Sequence, residues 1–438
     1  MSDRALSAWK PTPRDRVLLL LVSISVLAGL GRDGILAATP EIRESLSLAN
    51  SELDLSDRAY GFGFYLALGL GGVLAELLGT RLALLVCGAG TGAALCLTGS
   101  GWSLAVLTLS RLGLGFSVGA LLPASAAALA AWTPPRERGW AVGACHAALA
   151  AGGALAAPVF ALVLALVTWR AGFFVLAGSA AAWGLAWWRW FEADPGAGSD
   201  HPAAAAPLSW RGALPILALP TALAVALGWG LALCREWVPR VLLETWHFDI
   251  KLSSWIWAAS SAATILGCLA GGIGADRSLH HSGNIRSAHQ IVPALGFLLA
   301  GLSLALLPIG LDERAIALWL GLALFGLEAA GVMLWVYAID VGGRHTGVSA
   351  GFVGLGLLLS QIVSPLALSG FGLDRSVAAP VVILALASAG VLSFRLRPHI
   401  ELPMRPLPPS APVPTEAGAG AAAEIDALLG KSGKKRRG

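Results

Sequence analysis

Arg32 and Asp33 stand side by side in "GLGRDGILAATP" (29–40), near the far end of an apolar run that begins at Val17. The run is long enough to cross a bilayer, and a charge at mid-bilayer depth costs about 2.5–3.5 kcal/mol on insertion scales. Such residues persist where they face a protein-lined interior rather than lipid. The chemistry on offer is anion capture, because a guanidinium presents five N–H donors in a planar fork and grips a carboxylate or phosphate through two of them at once. The alternative is a structural ion pair, with Asp33 or with an acid across the interior. Successive helical side chains point about 100° apart, which sets Arg32 and Asp33 against pairing with each other. Arg32 is therefore expected to hold an anionic cargo, with Asp33 as its electrostatic or coupling partner.

Three other ionisable positions fall inside apolar runs. Arg111 opens "RLGLGFSVGALLP" (111–123) and suits either a substrate contact or an interhelical polar network. His146, in "GACHAALAAGG" (143–153), is either a hydrogen-bonded helix contact or a proton site, since imidazole titrates near neutral pH. Glu328, in "FGLEAAGV" (325–332), sits mid-run; an unpaired acid there is held neutral by burial and can carry a proton. The adjacent Cys145 and His146 also suit a transition metal. Arg235 and Glu236, in "CREWVPR" (234–240), read as interfacial charges beside an interfacial Trp237, with a place in the interior as the alternative. Other tryptophans, Trp9, Trp102, Trp169 and Trp187 among them, likewise fall near expected interfaces.

The elements that must position these groups follow from composition. Of 438 residues 56% are hydrophobic and 13% charged, against about 25% charged in soluble chains. The apolar runs are near 20 residues rather than ten-residue alternations, so the class is an all-α polytopic membrane protein. Twelve spans are expected, near 17–38, 60–78, 82–98, 104–130, 140–166, 171–190, 213–234, 254–274, 288–308, 315–339, 348–370 and 376–394. They divide into a cytoplasmic N-terminus (1–16), two six-helix bundles (17–190 and 213–397), a Pro-, Ala- and Gly-rich linker (191–212) and a tail (398–438). Lys and Arg fall about two to one on the side of the N-terminus, Arg81, Arg136, Arg138, Arg189 and Arg211 among them, which puts both termini inside the cell, in a bacterial inner membrane. Residues 1–16 lack a signal-peptide layout. The five cysteines, all within apolar runs, form no disulfide framework. There is no phosphate-binding Gly-rich loop, no zinc spacing and no enzyme constellation, so no catalytic residue, cofactor, structural metal or nucleic-acid partner is expected.

The halves repeat one another. "GGVLAELLGTR" (71–81) follows the second span and "GGIGADR" (271–277) follows the eighth, each with two glycines, an acid and an arginine. Such duplication places a site between two bundles at the midplane. With these motifs the chain resembles the major facilitator superfamily. Gly72, Glu76, Gly79 and Arg81 fit a degenerate form of its loop motif, and Gly272, Asp276 and Arg277 fit the second copy. Arg111, Gly115 and Pro123 match the helix 4 motif. More narrowly, "AAWTPPRERGWAVG" (130–143), "TWRAGFFVLAGSAAAWGLAWW" (168–188) and "YAIDVGGRHTGVSAG" (337–351) resemble the anion:cation symporter family, on its hexuronate and sugar-acid branch.

The resemblance implies a secondary transporter for a small organic anion, working by alternating access with possible proton coupling. It implies substrate contacts at Arg32, Tyr60, His146 and Arg111, coupling through Asp33, His146 or Glu328, and gating at Glu76, Arg81, Asp276, Arg277 and Asp340. Glu76 and Arg81, and Asp276 and Arg277, are expected near helix ends of the opposite bundle. The chain departs from the family at Gly29, where a Tyr is usual, at Val118, where a Glu is usual, and at His146 and Val353, where Asn is usual. Those departures keep open a metal-cation carrier or polyspecific exporter on the same scaffold. The tail, "AAEIDALLGKSGKKRRG" (422–438), keeps open a non-transporting adaptor with a protein partner, against a basic surface helix drawn to anionic lipid.

Overall fold

Thr12 starts the first helix. Its hydroxyl accepts from Asp15 N while the Asp15 carboxylate accepts from Thr12 N, and Pro13 fills the first helical position, where no N–H is needed. In this computed structural model the described residues are 12–191, 208–238, 250–307, 313–370 and 375–397. The linker and tail expected at 191–212 and 398–438 lie largely or wholly outside them, as does Trp9.

The helices are α1 (Pro13–Ala37), a short α2 (Thr39–Leu46), α3 (Asn50–Gly99), α4 (Leu104–Trp132), α5 (Arg138–Leu166), α6 (Trp169–Trp190), α7 (Trp210–Ala232), α8 (Ile250–Ser282), α9 (Ile285–Leu306), α10 (Glu313–Gly342), α11 (Thr346–Gly370) and α12 (Arg375–Ser393). Nine continuous runs among the described residues are long and apolar enough to cross a membrane. Two of them, Ser51–Gly99 and Arg314–Ile362, are 49 residues long, and each holds two crossings. The first is divided at Gly79, whose φ of 75° is a conformation that side-chain-bearing residues avoid. The second is divided by the short turn Gly343–His345. With α12, the described helices give twelve crossings in two bundles, α1–α6 and α7–α12.

The short loops are capped locally. The Ser103 hydroxyl accepts from Val106 N and the Thr168 hydroxyl from Ala171 N, starting α4 and α6. Prolines 123, 158, 215, 220 and 293 lie inside helices, as neighbouring transmembrane segments permit.

The tryptophans need a correction. Trp102 is exposed, but Trp169 and Trp187 are buried. Trp183 and Trp187 stack along α6, donating to Leu20 O (2.8 Å) and Arg81 O (3.0 Å), and so clip α6 to α1 and to the second arm of α3. Position near a span end fixed their depth but not which side of the helix they occupy.

Candidate functional site

The central site is built on α1, where Gly29 makes room for it. A Cβ there would lie 2.2 Å from Leu149 O of α5, so α1 and α5 touch backbone to backbone. No side chain fits at this position as the two helices are packed here. One turn further, a Cβ on Gly153 would lie 2.3 Å from Asp33 Oδ2 and 2.5 Å from Arg32 Nη2. Both charged groups therefore rest against the bare backbone of α5.

Arg32 and Asp33 do pair, against the sequence expectation. Arg32 Nε donates to Asp33 Oδ1 and Nη2 to Oδ2, each at 2.7 Å. The angle between successive Cα–Cβ bonds does not decide where a guanidinium four torsions away ends up. Both side chains stay partly exposed, so the pair is not sealed. Tyr60 lies within electrostatic range of Arg32, Asp33 and Arg111. Its buried Oη makes no hydrogen bond among the described residues.

Arg111 has the opposite character, with 1% of its side chain exposed. Nη2 donates to Asp57 Oδ1 (2.8 Å), Nη1 donates to Arg32 O (3.0 Å), and the guanidinium lies 4.5 Å above the Tyr60 ring. It ties α1, α3 and α4 together, the network role of the two left open by the sequence. Asp57 was not singled out in the sequence, although its place one turn before Tyr60 puts both on one face of α3.

In the second bundle, Glu328 is not the unpaired acid expected. Arg235 Nη2 donates to Glu328 Oε1, and Cys268 Sγ donates to Oε2 at 3.6 Å. Its partner comes from another helix, which a reading of its own run does not show. Arg235 is accordingly not a lone charge at a helix end but the partner of Glu328. His146 of α5 faces the Trp335 ring of α10 at 5.7 Å, a contact between the bundles.

At the face where α1 begins, the N-terminal face, the bundles close on one another. A Cβ on Gly72 would lie 1.7 Å from Gly347 O, and one on Gly139 would lie 2.4 Å from Gly272 O. Acids then reach across. Glu76 Oε1 accepts from Val348 N (2.8 Å), and Oε2 lies 3.3 Å from His345 Nδ1. Asp276 accepts from Gly139 N (3.0 Å) and Trp140 N (2.7 Å), capping α5 from the opposite bundle. Arg138 donates to Asp340, whose other oxygen lies 2.9 Å from His289 Nε2. Arg138 and His289 were not singled out in the sequence as gate residues.

The arginines of the duplicated motif depart from expectation. Arg81 donates to Trp188 O (2.9 Å) and lies over the Trp188 ring within its own bundle, because the break at Gly79 starts a new helix arm against α6. Arg277 is exposed on α8, and no contact seen among the described residues carries it across.

Residues 21–365 match the Major Facilitator Superfamily. The chain belongs to that superfamily and is a multi-pass membrane transporter rather than an enzyme. It is 29% identical over 381 residues to the "Probable sulfoacetate transporter SauU" of Cupriavidus necator, covering 83% of this chain and 88% of that one. It is 23% identical over 373 residues to the hexuronate transporter of Bacillus subtilis (strain 168), covering 82% and 88%. Among solved structures it is similar to the human organic anion transporter MFSD10 (TM-score 0.66, 16% identity, 88% of this chain and 99% of that one). It is also similar to the proton:xylose symporter XylE (TM-score 0.65, 13% identity, 87% and 94%). At these identities the solved structures speak for the fold alone.

Proposed function

We propose that this protein carries a small organic anion across a bacterial inner membrane by alternating access, with both termini in the cytoplasm. The observation that carries the reading is the partly exposed Arg32 fork, held against glycine backbone beside the unpaired Tyr60 hydroxyl. A cation presented this way binds an acidic group by exchanging one carboxylate partner for another. Asp33 is then the coupling group: a proton on its carboxylate frees the fork for cargo, a role the chain needs because Val118 replaces the helix 4 acid. The named relatives, a sulfoacetate and a hexuronate transporter, support the cargo class. The ties across the N-terminal face make this the form open to the opposite, outer side.

The test is binding and proteoliposome uptake with sulfoacetate, hexuronates, dicarboxylates and metal ions. Arg32→Ala is expected to abolish anion binding, a loss of about 2–5 kcal/mol for a desolvated charge-assisted pair. Arg32→Lys should recover little, because an ammonium lacks the fork. A metal carrier behaves oppositely: Arg32→Ala leaves metal binding intact while His146→Ala destroys it. That result would overturn the anion reading.

A further inference from the structure

The two acids of the duplicated motif hold the N-terminal face alike in one respect and differently in another. Each brings its carboxylate to backbone N–H groups in the first turn of a helix of the opposite bundle, Glu76 to Val348 N of α11 and Asp276 to Gly139 N and Trp140 N of α5. A backbone amide does not titrate. Glu76 has a second contact that does. Its Oε2 lies 3.3 Å from Nδ1 of His345, in the turn Gly343–His345 between α10 and α11. Gly343, with a φ of 52°, takes a conformation that side-chain-bearing residues avoid. The chain turns there so that Arg344 is exposed while His345 is buried against the first bundle. The His345 side chain is 10% exposed and that of Glu76 25%, so the pair is shielded but open to protons from that face.

The other charged groups of this face have partners elsewhere. From the first bundle, Arg138 on α5 meets Asp340, Glu137 pairs with Arg14, and Arg81 is turned to Trp188. From the second, Asp340 on α10 stands between Arg138 and His289 of α9, and Asp276 on α8 is on the α5 amides. Two more imidazoles sit near acids here. His289 faces Asp340, and His280 lies within electrostatic range of Asp276, each in the bundle of its own acid. A proton on either travels with that acid. Glu76 and His345 are the imidazole–carboxylate pair that spans the bundles among the described residues. A neutral imidazole offers a carboxylate one hydrogen bond; a protonated one faces it as a cation. Imidazole makes that change between about pH 5 and 8.

We propose that Glu76 and His345 form a proton-operated latch: a proton on His345 holds the two bundles together at the N-terminal face, and its loss loosens them. The closed form has the ion pair and the open form lacks it, so by linkage the closed form binds the proton more tightly. The latch is fully engaged below the range in which imidazole titrates and is lost as pH rises through it. It is independent of the cargo and of the reading of Arg32. Its consequence for transport is that opening toward the N-terminal face becomes rarer as the medium on that side acidifies.

The experiment is single-molecule energy transfer on the purified full-length protein in lipid nanodiscs. The dyes are carried by Arg189→Cys, at the end of α6, and Arg277→Cys, on α8, both exposed at the N-terminal face, after replacement of the exposed Cys96. Low transfer reports bundles that have parted there. From about pH 5.5 to 8.5 the ratio of open to closed molecules is expected to rise about fivefold, the effect of one partly shielded ion pair. His345→Gln should flatten that rise. Glu76→Gln keeps an oxygen for Val348 N and removes the charge, so it should flatten the rise as well, and it decides the matter if His345→Gln folds poorly. His289→Gln should keep the rise, because its acid lies in its own bundle. A ratio that stays constant or falls with pH overturns the proposal. So does a rise that persists in folded His345→Gln or in Glu76→Gln. A rise lost in His289→Gln and kept in His345→Gln also overturns it, and moves the proton to the Asp340 pair.

Discussion

The charged groups at the centre of the molecule and those at its N-terminal face are wired differently. In the centre each ion pair closes within one bundle: Arg32 with Asp33, Arg111 with Asp57, Arg235 with Glu328. At the N-terminal face three acids reach the other bundle, Glu76 to Val348 and His345, Asp276 to the start of α5 and Asp340 to Arg138, while Glu137 pairs with Arg14 of its own bundle. A pair inside one rigid half travels with it and has the same energy in every state. A pair between the halves exists only while they touch, so it biases the equilibrium between states. The central pairs thus carry no bias between states, whereas the peripheral ties favour a form closed at the N-terminal face.

The strongest break in that comparison is at Arg111. Arg111→Gln removes the bond to Asp57, the bond to Arg32 O and the contact with the Tyr60 ring. At about 1 kcal/mol or more for each, the loss is about 3 kcal/mol of stability, read as a lower thermal midpoint in detergent. Because all its partners lie in the first bundle, the balance between open and closed forms should not move. The probe is Cys268, buried under the gate, labelled by an impermeant maleimide from the N-terminal face after replacement of the exposed Cys96. A changed Cys268 labelling rate in folded Arg111→Gln would show that the central network also couples the halves.

How much of this was legible follows the same division. Glu76 and Asp276 could be read as gate residues because duplication repeats their motif, and both reach the other bundle as expected. The twelve crossings were legible because apolar length is a local property. Central partners were not: Glu328 and Arg235 lie 93 residues apart on separate helices, and no spacing within either run announces the pair. Arg32 and Asp33 were misjudged for the opposite reason. They are adjacent, and the direction of the Cα–Cβ bond does not limit where a long guanidinium side chain reaches. Trp187 and Arg81 failed together, since the bend at Gly79 that brings Trp187 Nε1 to Arg81 O is a three-dimensional event.

A smaller effect on stability, but a larger one on state, is expected at Asp340. Its side chain is 4% exposed and stands between Arg138 of the first bundle and His289 of its own. Asp340→Asn keeps the shape and removes the charge that Arg138 meets from the opposite bundle. About 2 kcal/mol is lost from the closed form only. That corresponds to about a 30-fold shift toward opening at the N-terminal face, visible as faster Cys268 labelling. An unchanged rate would mean that the glycine contacts alone hold the gate.

The mildest and most discriminating case is Asp276. Its carboxylate accepts from two backbone N–H groups at the start of α5 and meets the positive end of that helix. Asn at this position keeps one accepting oxygen and loses the charge. The lost helix-end term is about 0.3–1 kcal/mol, and one neutral hydrogen bond adds about 1 kcal/mol. Asp276→Asn should therefore raise Cys268 labelling by about 10- to 30-fold, and Asp276→Ala, which also removes the second bond, should raise it further. High salt separates the contributions, because it screens the helix-end charge but not the hydrogen bonds. If Asn and Ala behave alike, the charge is the whole of the latch. If Asn behaves as wild type at every salt concentration, the hydrogen bond is, and the acid in the second copy of the motif acts as a cap that carries no electrostatic weight in closing the gate.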